Sequence, residues 1–132
     1  MVAMSQFPSP AADYHEDAIS LDKELIRKPA ATFFIRYAAT SWREGIKRGA
    51  LLVMDTSLTP VDGSLVICHL NDQIRLLRLR LLPKVHLEEL DHADKKTWIT
   101  DDDCEERVVV KGVVTYIIND ARTGEFDDYP LK

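Results

Sequence analysis

Residues 65–82 read LVICHLNDQIRLLRLRLL, and this stretch decides the fold that we expect. Leu65–Leu70 and Ile74–Leu82 are rich in residues that favour strands, and the Asn71-Asp72 pair between them predicts a tight hairpin turn. The alternation of apolar and polar residues is interrupted inside the second run, because the adjacent Leu76 and Leu77 would point to opposite faces of a strand. We interpret this change as a bulge, or as a move of the strand from one sheet to another.

Further strand patterns lie on both sides of this hairpin. They predict strands at Thr32–Tyr37, Leu51–Met54, around Val85–Glu88 and at Arg107–Asn119, with a bend at Gly112 and a polar loop at Asp91–Lys96. Ser20 begins a predicted short helix that ends near Arg27. Strands at a spacing of roughly ten residues, with little helix, are typical of a compact, barrel-like β domain. We therefore expect a mainly β fold with one short helix.

The chain has room for one domain. It has 132 residues, of which 45% are hydrophobic, enough for a core. We divide it into an extended arm at residues 1–19, a β domain at residues 20–122 and a polar, acidic tail at residues 123–132. Two prolines, at positions 8 and 10, exclude a helix at the start of the arm.

Composition excludes several functions. The net charge is −5, which argues against direct binding of nucleic acid, and no apolar run approaches the ~18 residues of a membrane helix. The start of the chain lacks the features of a secretory signal, and Cys68 and Cys104 cannot form a disulfide framework. His86, Glu88, His92 and Asp94 lack metal-site spacing. We expect a cytoplasmic protein without a metal, a cofactor or a membrane partner.

The charge is uneven along the chain. The net charge is +2 up to Val85 and −7 from His86 onward. The acidic part suits docking onto a basic protein partner, and a solvated acidic rim is the alternative interpretation.

Several segments resemble the LexA/UmuD family of serine peptidases, in the same order along the chain. The most specific is Phe7-Pro8-Ser9-Pro10-Ala11-Ala12-Asp13-Tyr14, which is similar to the segment that follows the self-cleavage point of the UmuD-like members. Weaker matches are Pro29–Phe34, Gly49–Asp55, Gly63–Ile67 and Gly112–Val114. The resemblance spans Phe7 to about Arg122. It implies a homodimer and the compact LexA/UmuD-like peptidase fold.

The resemblance also implies a Ser/Lys dyad, in which a neutral lysine takes the proton of a nucleophilic serine. Ser41 falls on the nucleophile position, between Thr40 and Trp42, although most flanking residues differ from the family pattern. Ungapped counting from Gly63 places Leu77 on the position of the lysine. A leucine cannot exchange a proton, and the neighbouring Arg78 stays protonated and should point to the opposite face.

The family cleaves in an arm longer than this one, upstream of the Phe-Pro-Ser-Pro segment, so the chain resembles the processed form. We therefore expect a catalytically inactive, homodimeric accessory subunit of a Y-family lesion-bypass DNA polymerase, made in the SOS response to DNA damage. One alternative is an active peptidase that uses Ser41 with a displaced base, for which Lys47, Lys84, His69 and His86 are candidates. Another is a regulator that forms mixed dimers with a LexA- or UmuD-type protein.

Three surfaces complete these expectations. Phe7, Pro8, Ser9, Pro10 and Tyr14 form a partner-binding arm. By resemblance, and because a long apolar edge strand invites a second chain, we expect dimer contacts at Val108, Val110, Thr115 and Ile117. Trp42 either fills the cleft next to Ser41, helped by Leu77, or lies half-exposed in the dimer contact.

Overall fold

The computed structural model describes residues 19–99 and 108–122. In these residues one short helix, α1 (Leu21–Leu25), and a 3-10 turn at Pro29–Ala31 precede seven strands. The strands are β1 (Thr32–Arg36), β2 (Leu51–Asp55), β3 (Leu65–Leu70), β4 (Gln73–Arg80), β5 (His86–Glu89), β6 (His92–Trp98) and β7 (Val108–Ile118). The predicted mainly β fold is confirmed. No helix in the described part of the chain has the length and apolarity needed to span a bilayer.

The strands form one antiparallel sheet in the order β1-β2-β7-β3-β4-β5-β6. The helix is shorter than predicted. Ser20 precedes it but makes no side-chain capping bond, and none of its residues is buried. Because capping and burial stabilise short helices, the lack of both accounts for the early end.

The hairpin of residues 65–80 forms as the sequence predicts. Asn71 and Asp72 both have positive φ, 53° and 68°, which is the backbone of a type I′ turn. The expected bulge is absent, however, because β3 and β4 pair in unbroken register from Leu65↔Arg78 to Leu70↔Gln73. The alternation is interrupted for another reason: apolar side chains pack against both faces of β4 at this point.

Two core clusters cover those faces. Leu76 packs in the first cluster, on one face of the sheet. Its members are Ile46, Ala50, Leu52, Met54, Ile67, Leu76, Leu90 and Val114. Leu77 packs in the second, on the other face. Its members are Val66, Cys68, Leu70, Leu77, Leu79 and Leu87. Adjacent leucines at positions 76 and 77 therefore serve different cores.

Gly112 lies where β7 is irregular, as predicted. The pairing of β3 with β7 shifts between Ile67 and Cys68, and that of β2 with β7 shifts between Val53 and Met54. A side chain has no room at position 112, because an added Cβ would lie 2.7 Å from Met54 Cγ and 3.1 Å from the Asp55 carbonyl oxygen.

Gly112→Ala is expected to lower the free energy of unfolding by about 1–3 kcal/mol, since the new methyl group overpacks the core against the β2 backbone. The measurement is urea unfolding followed by circular dichroism. Repeating the substitution in a Met54→Ala background removes one of the two contacts, so the cost should fall there. An equal cost in both backgrounds would show that Met54 is not the obstacle.

Two sequence predictions are wrong. The polar run Asp91–Lys96 is not a loop, because residues 92–98 form β6. This strand lies at the edge of the sheet and has exposed residues at five of its seven positions, so its polar composition does not oppose a strand. Strand β7 is not an edge either, because it lies between β2 and β3.

The edge argument for the dimer contacts therefore fails. Both sides of β7 are hydrogen-bonded to other strands, so only a face of β7 can meet a second copy. Val108 and Ile117 are half-buried against the two cores. Val110 and Thr115 are exposed, and the Thr115 hydroxyl donates to the Val53 carbonyl oxygen. Two of the four dimer contacts predicted from the sequence therefore pack against the core, and the other two are exposed.

Candidate functional site

Ser41 lies between β1 and β2, at the base of a short loop that we call the Ser41 loop (residues 41–46). The backbone of Ser41 pairs with that of Ile46 through two hydrogen bonds of 2.8 Å, which close the loop. Ile46 is fully buried in the first core cluster, and Ser41 is only 1% exposed. The core therefore fixes the position of the serine.

The Ser41 hydroxyl donates a hydrogen bond to a carboxylate. Its Oγ lies 2.8 Å from Oδ1 of Asp91, in the turn between β5 and β6. The Arg43 backbone N–H donates to the same oxygen at 3.2 Å. The Glu44 N–H donates to Ser41 Oγ at 3.4 Å. These bonds occupy the serine both as a donor and as an acceptor.

This arrangement does not resemble the activation of a nucleophile. An active serine needs a neighbouring base that takes its proton, and a carboxylate is a weak base at neutral pH. A nearby carboxylate also favours the protonated form of an amine. The Asp91 carboxylate would therefore oppose a neutral lysine at this place. The geometry supports a structural hydrogen bond that holds the Ser41 loop.

Leu77 fills the position that the resemblance assigns to the lysine. It is 2% exposed and packs in the second core cluster. Leu77 and Asp91 both line a cavity of about 550 Å³, which is also bounded by residues 35–39 of β1 and the segment after it. The Leu77 side chain itself packs on the sheet face opposite Leu76, so an aliphatic core residue occupies the position that the resemblance assigns to the lysine.

Arg78 points towards the Ser41 loop. Its guanidinium forms an ion pair with the Glu44 carboxylate and donates to the Gly63 carbonyl oxygen at 2.6 Å. Both side chains of the pair are 22% exposed. Arg78 thus links β4 to the loop and remains cationic, so it cannot act as a base.

The displaced bases considered from sequence have other contacts. The Lys47 amine donates to the Asp120 carbonyl oxygen at 3.1 Å, and Lys84 is exposed. His86 is buried, with Nδ1 2.7 Å from the Lys84 carbonyl oxygen and Nε2 3.6 Å from a Glu88 oxygen. His69 lines a second, apolar cavity of about 310 Å³. The structure does not bring His69, His86 or Lys84 to the serine.

Trp42 does not fill a cleft, because its side chain is 46% exposed. The prediction of a plug is wrong. Trp42 is half-exposed, and its place in a dimer contact stays a prediction. The preceding Thr40 is half-buried. The larger cavity stays open, with the Tyr37 phenol on its wall. Burial, with a smaller contribution from the Asp91 charge, raises the pKa of Tyr37, and Arg75 partly offsets this rise.

Cys68 is a core residue. Burial raises the pKa of its thiol to about 11, so the thiol is protonated at neutral pH and unreactive. Among residues 19–99 and 108–122, no group of three or more His, Cys, Asp or Glu residues could hold a metal ion. The arm residues Phe7, Pro8, Ser9, Pro10 and Tyr14, together with Cys104 and the tail at 123–132, lie outside the described residues.

Sequence reasoning missed Asp91. The residue begins a polar run and matches no motif for nucleophilic catalysis, and the contact joins residues 50 positions apart. No local pattern reports such a contact. Asp91 lies next to the serine because it is in the tight turn between β5 and β6. The sequence pattern predicted a loop here and therefore did not predict this turn.

Comparison with known proteins gives the family. The sequence profile described as Peptidase S24-like matches residues 2–114. The chain is 36% identical to protein SamA of Salmonella typhimurium over 118 residues, which are 89% of this chain and 80% of SamA. It is also 36% identical to protein ImpA of Escherichia coli over 118 residues (88% and 78% of the two chains) and to protein MucA of Escherichia coli over 111 residues (83% and 75%). The chain therefore belongs to the Peptidase S24-like family, as its resemblance to the LexA and UmuD proteins predicts.

Proposed function

We propose that this chain is a UmuD-like accessory subunit of a Y-family lesion-bypass DNA polymerase, and that it acts by binding rather than by peptide cleavage. One observation carries the second part of the proposal. The Ser41 hydroxyl is buried and donates to Asp91, and leucine occupies the position of the family's lysine. A serine that donates its proton to a carboxylate is not paired with the amine base that the family's chemistry uses.

The binding role is supported by the kind of surface that the domain presents. Phe34 on β1 and Tyr116 and Ile118 on β7 are 40–50% exposed and lie on one face of the sheet, on the two strands that flank β2. Phe34 and Tyr116 are both paired with Val53, so they flank a buried residue in one row. Exposed apolar rows of this kind favour protein contacts. We propose that this face contributes to a homodimer in the cytoplasm.

Association with the polymerase is the test of the binding role. The chain should co-purify with a lesion-bypass polymerase from its own host at low salt, as a complex with two copies of the chain, measured by multi-angle light scattering. The Ser41→Ala variant should associate equally well, because catalysis is not required.

Two outcomes would contradict the proposal. The first is no association of the folded dimer with the polymerase. The second is cleavage of a full-length UmuD-type protein by the wild-type chain that is lost in Ser41→Ala, which would favour the peptidase alternative. A mixed dimer with a LexA- or UmuD-type protein, in the absence of any complex with the polymerase, would favour the regulator alternative.

A further inference from the structure

We propose that the Ser41 loop is a protein-docking element, in which Trp42 is the anchor and the partner offers an apolar pocket bordered by carboxylates. The proposal deepens the binding role above by naming the surface and the chemistry of its partner. Trp42 is 46% exposed at the tip of a loop whose base is buried. Large aromatic side chains in such positions dominate the energy of many protein interfaces.

The loop is fixed from three directions. Asp91, after β5, accepts bonds from the Ser41 hydroxyl and the Arg43 N–H. Asn119, after β7, donates to the Gly45 carbonyl oxygen at 2.7 Å and accepts from the Lys47 N–H at 2.9 Å. Arg78, on β4, pairs with Glu44. Three parts of the sheet therefore hold a loop of six residues.

Rigid presentation has an energetic consequence. A flexible loop loses conformational freedom when it binds, whereas a loop already held in one shape loses less. Fixing the backbone on both sides of Trp42 thus favours its use as an anchor. In this interpretation Asp91 and Asn119 are the positioning residues, because both bond to the backbone of the segment that carries Trp42. They hold the loop backbone in one shape and so fix the surface that presents Trp42.

The charge beside Trp42 suggests the partner's chemistry. Arg43 is exposed next to the tryptophan, and Glu44 is paired with Arg78. Arg48 is also exposed at the end of the same segment, where it donates to the Ala38 carbonyl oxygen at 2.7 Å. The tip therefore presents an aromatic ring next to a cation, which complements an apolar pocket with an acidic border.

The chain contains a matched control in Trp98. This residue is 43% exposed and lies on the edge strand β6. Its ring packs on His86 at 4.7 Å between centroids, and the Lys96 amine lies 5.9 Å from the ring. Trp98 thus has nearly the same exposure as Trp42 and also lies near a cation. It differs because it lies on a strand and not on the Ser41 loop.

Site-specific cross-linking in cells tests the proposal. The photoreactive residue p-benzoylphenylalanine is placed at position 42 or at position 98 of the full chain, and cross-linked proteins are identified by mass spectrometry. We expect one defined protein adduct at position 42 that Arg43→Glu removes. We expect no such adduct at position 98, and Lys96→Glu should not affect the adduct at position 42.

The outcomes separate the two proposals. An adduct with the lesion-bypass polymerase that depends on Arg43 supports both. An adduct with another identified protein that depends on Arg43 supports the docking loop and contradicts the polymerase role. An adduct with a second copy of the chain, an adduct that persists in Arg43→Glu, or no adduct at position 42 overturns the docking loop.

The identified partner allows a measurement of affinity. Trp42→Ala should weaken binding about 30-fold, whereas Trp98→Ala should change it less than about twofold. Asn119→Ala should weaken binding severalfold although it leaves Trp42 in place, because it frees the loop. Equal effects of Trp42→Ala and Trp98→Ala would contradict the proposal.

Discussion

Leu77→Lys is expected to lower the free energy of unfolding by about 3–5 kcal/mol at neutral pH and to leave the protein without peptidase activity. Leu77 is 2% exposed among aliphatic side chains, so the new ammonium group would lose its water without a matching set of hydrogen bonds. If the amine reached the cavity wall that Asp91 shares, the carboxylate would keep it protonated, and a protonated amine cannot accept the serine proton.

Urea unfolding and incubation with a full-length UmuD-type substrate measure the two parts of this prediction. Leu77→Met, which keeps the volume and adds no charge, should cost less than about 1.5 kcal/mol. A Leu77→Lys protein that is as stable as the wild type and cleaves the substrate would show that position 77 faces a site still competent for catalysis.

Asp91→Ala is expected to lower the free energy of unfolding by about 1–3 kcal/mol. The substitution leaves the buried Ser41 hydroxyl without its acceptor, and the Arg43 N–H loses the same oxygen. Ser41→Ala should cost less, because it removes the buried donor itself. In the double variant the two costs should not add, and a coupling of about 1 kcal/mol is expected for residues in direct contact.

Asp94→Ala is the matched control, because Asp94 is an exposed aspartate on the neighbouring strand β6. The free energy of unfolding of the Asp94→Ala variant should stay within about 0.5 kcal/mol of that of the wild type. Additive costs for Ser41→Ala and Asp91→Ala would mean that the hydrogen bond contributes nothing to the fold, and the structural role of Ser41 would then be lost.

The fold was predictable where local signals agree with tertiary structure. The Asn71-Asp72 turn has residue types that tolerate positive φ, and the strands around it are strongly apolar, so the central hairpin could be read directly. The edge strand β6 could not, because its sequence is polar and its pairing with β5 decides its conformation. The position of β7 between β2 and β3 could not be predicted either, because strand order depends on contacts between residues that are distant in sequence.

The site was predictable in part. The resemblance assigned the nucleophile position to Ser41 and the lysine position to Leu77 from spacing alone, and these assignments stay predictions. The contact between Ser41 and Asp91 did not follow, since it joins two turns that only the folded sheet brings together. The exposure of Trp42 was likewise undecided by sequence, because an aromatic residue after the serine fits either a filled cleft or an exposed loop.

The most direct test of the non-catalytic account is damage-induced mutagenesis in a host strain that lacks its own UmuD-type protein and carries the polymerase. Cells that express Ser41→Ala, at the same protein level as the wild type, should give the same frequency of mutants after irradiation, because the serine is needed only for structure. A fall to the frequency of cells without the chain, by a Ser41→Ala protein that remains folded, would show that the hydroxyl acts as a nucleophile.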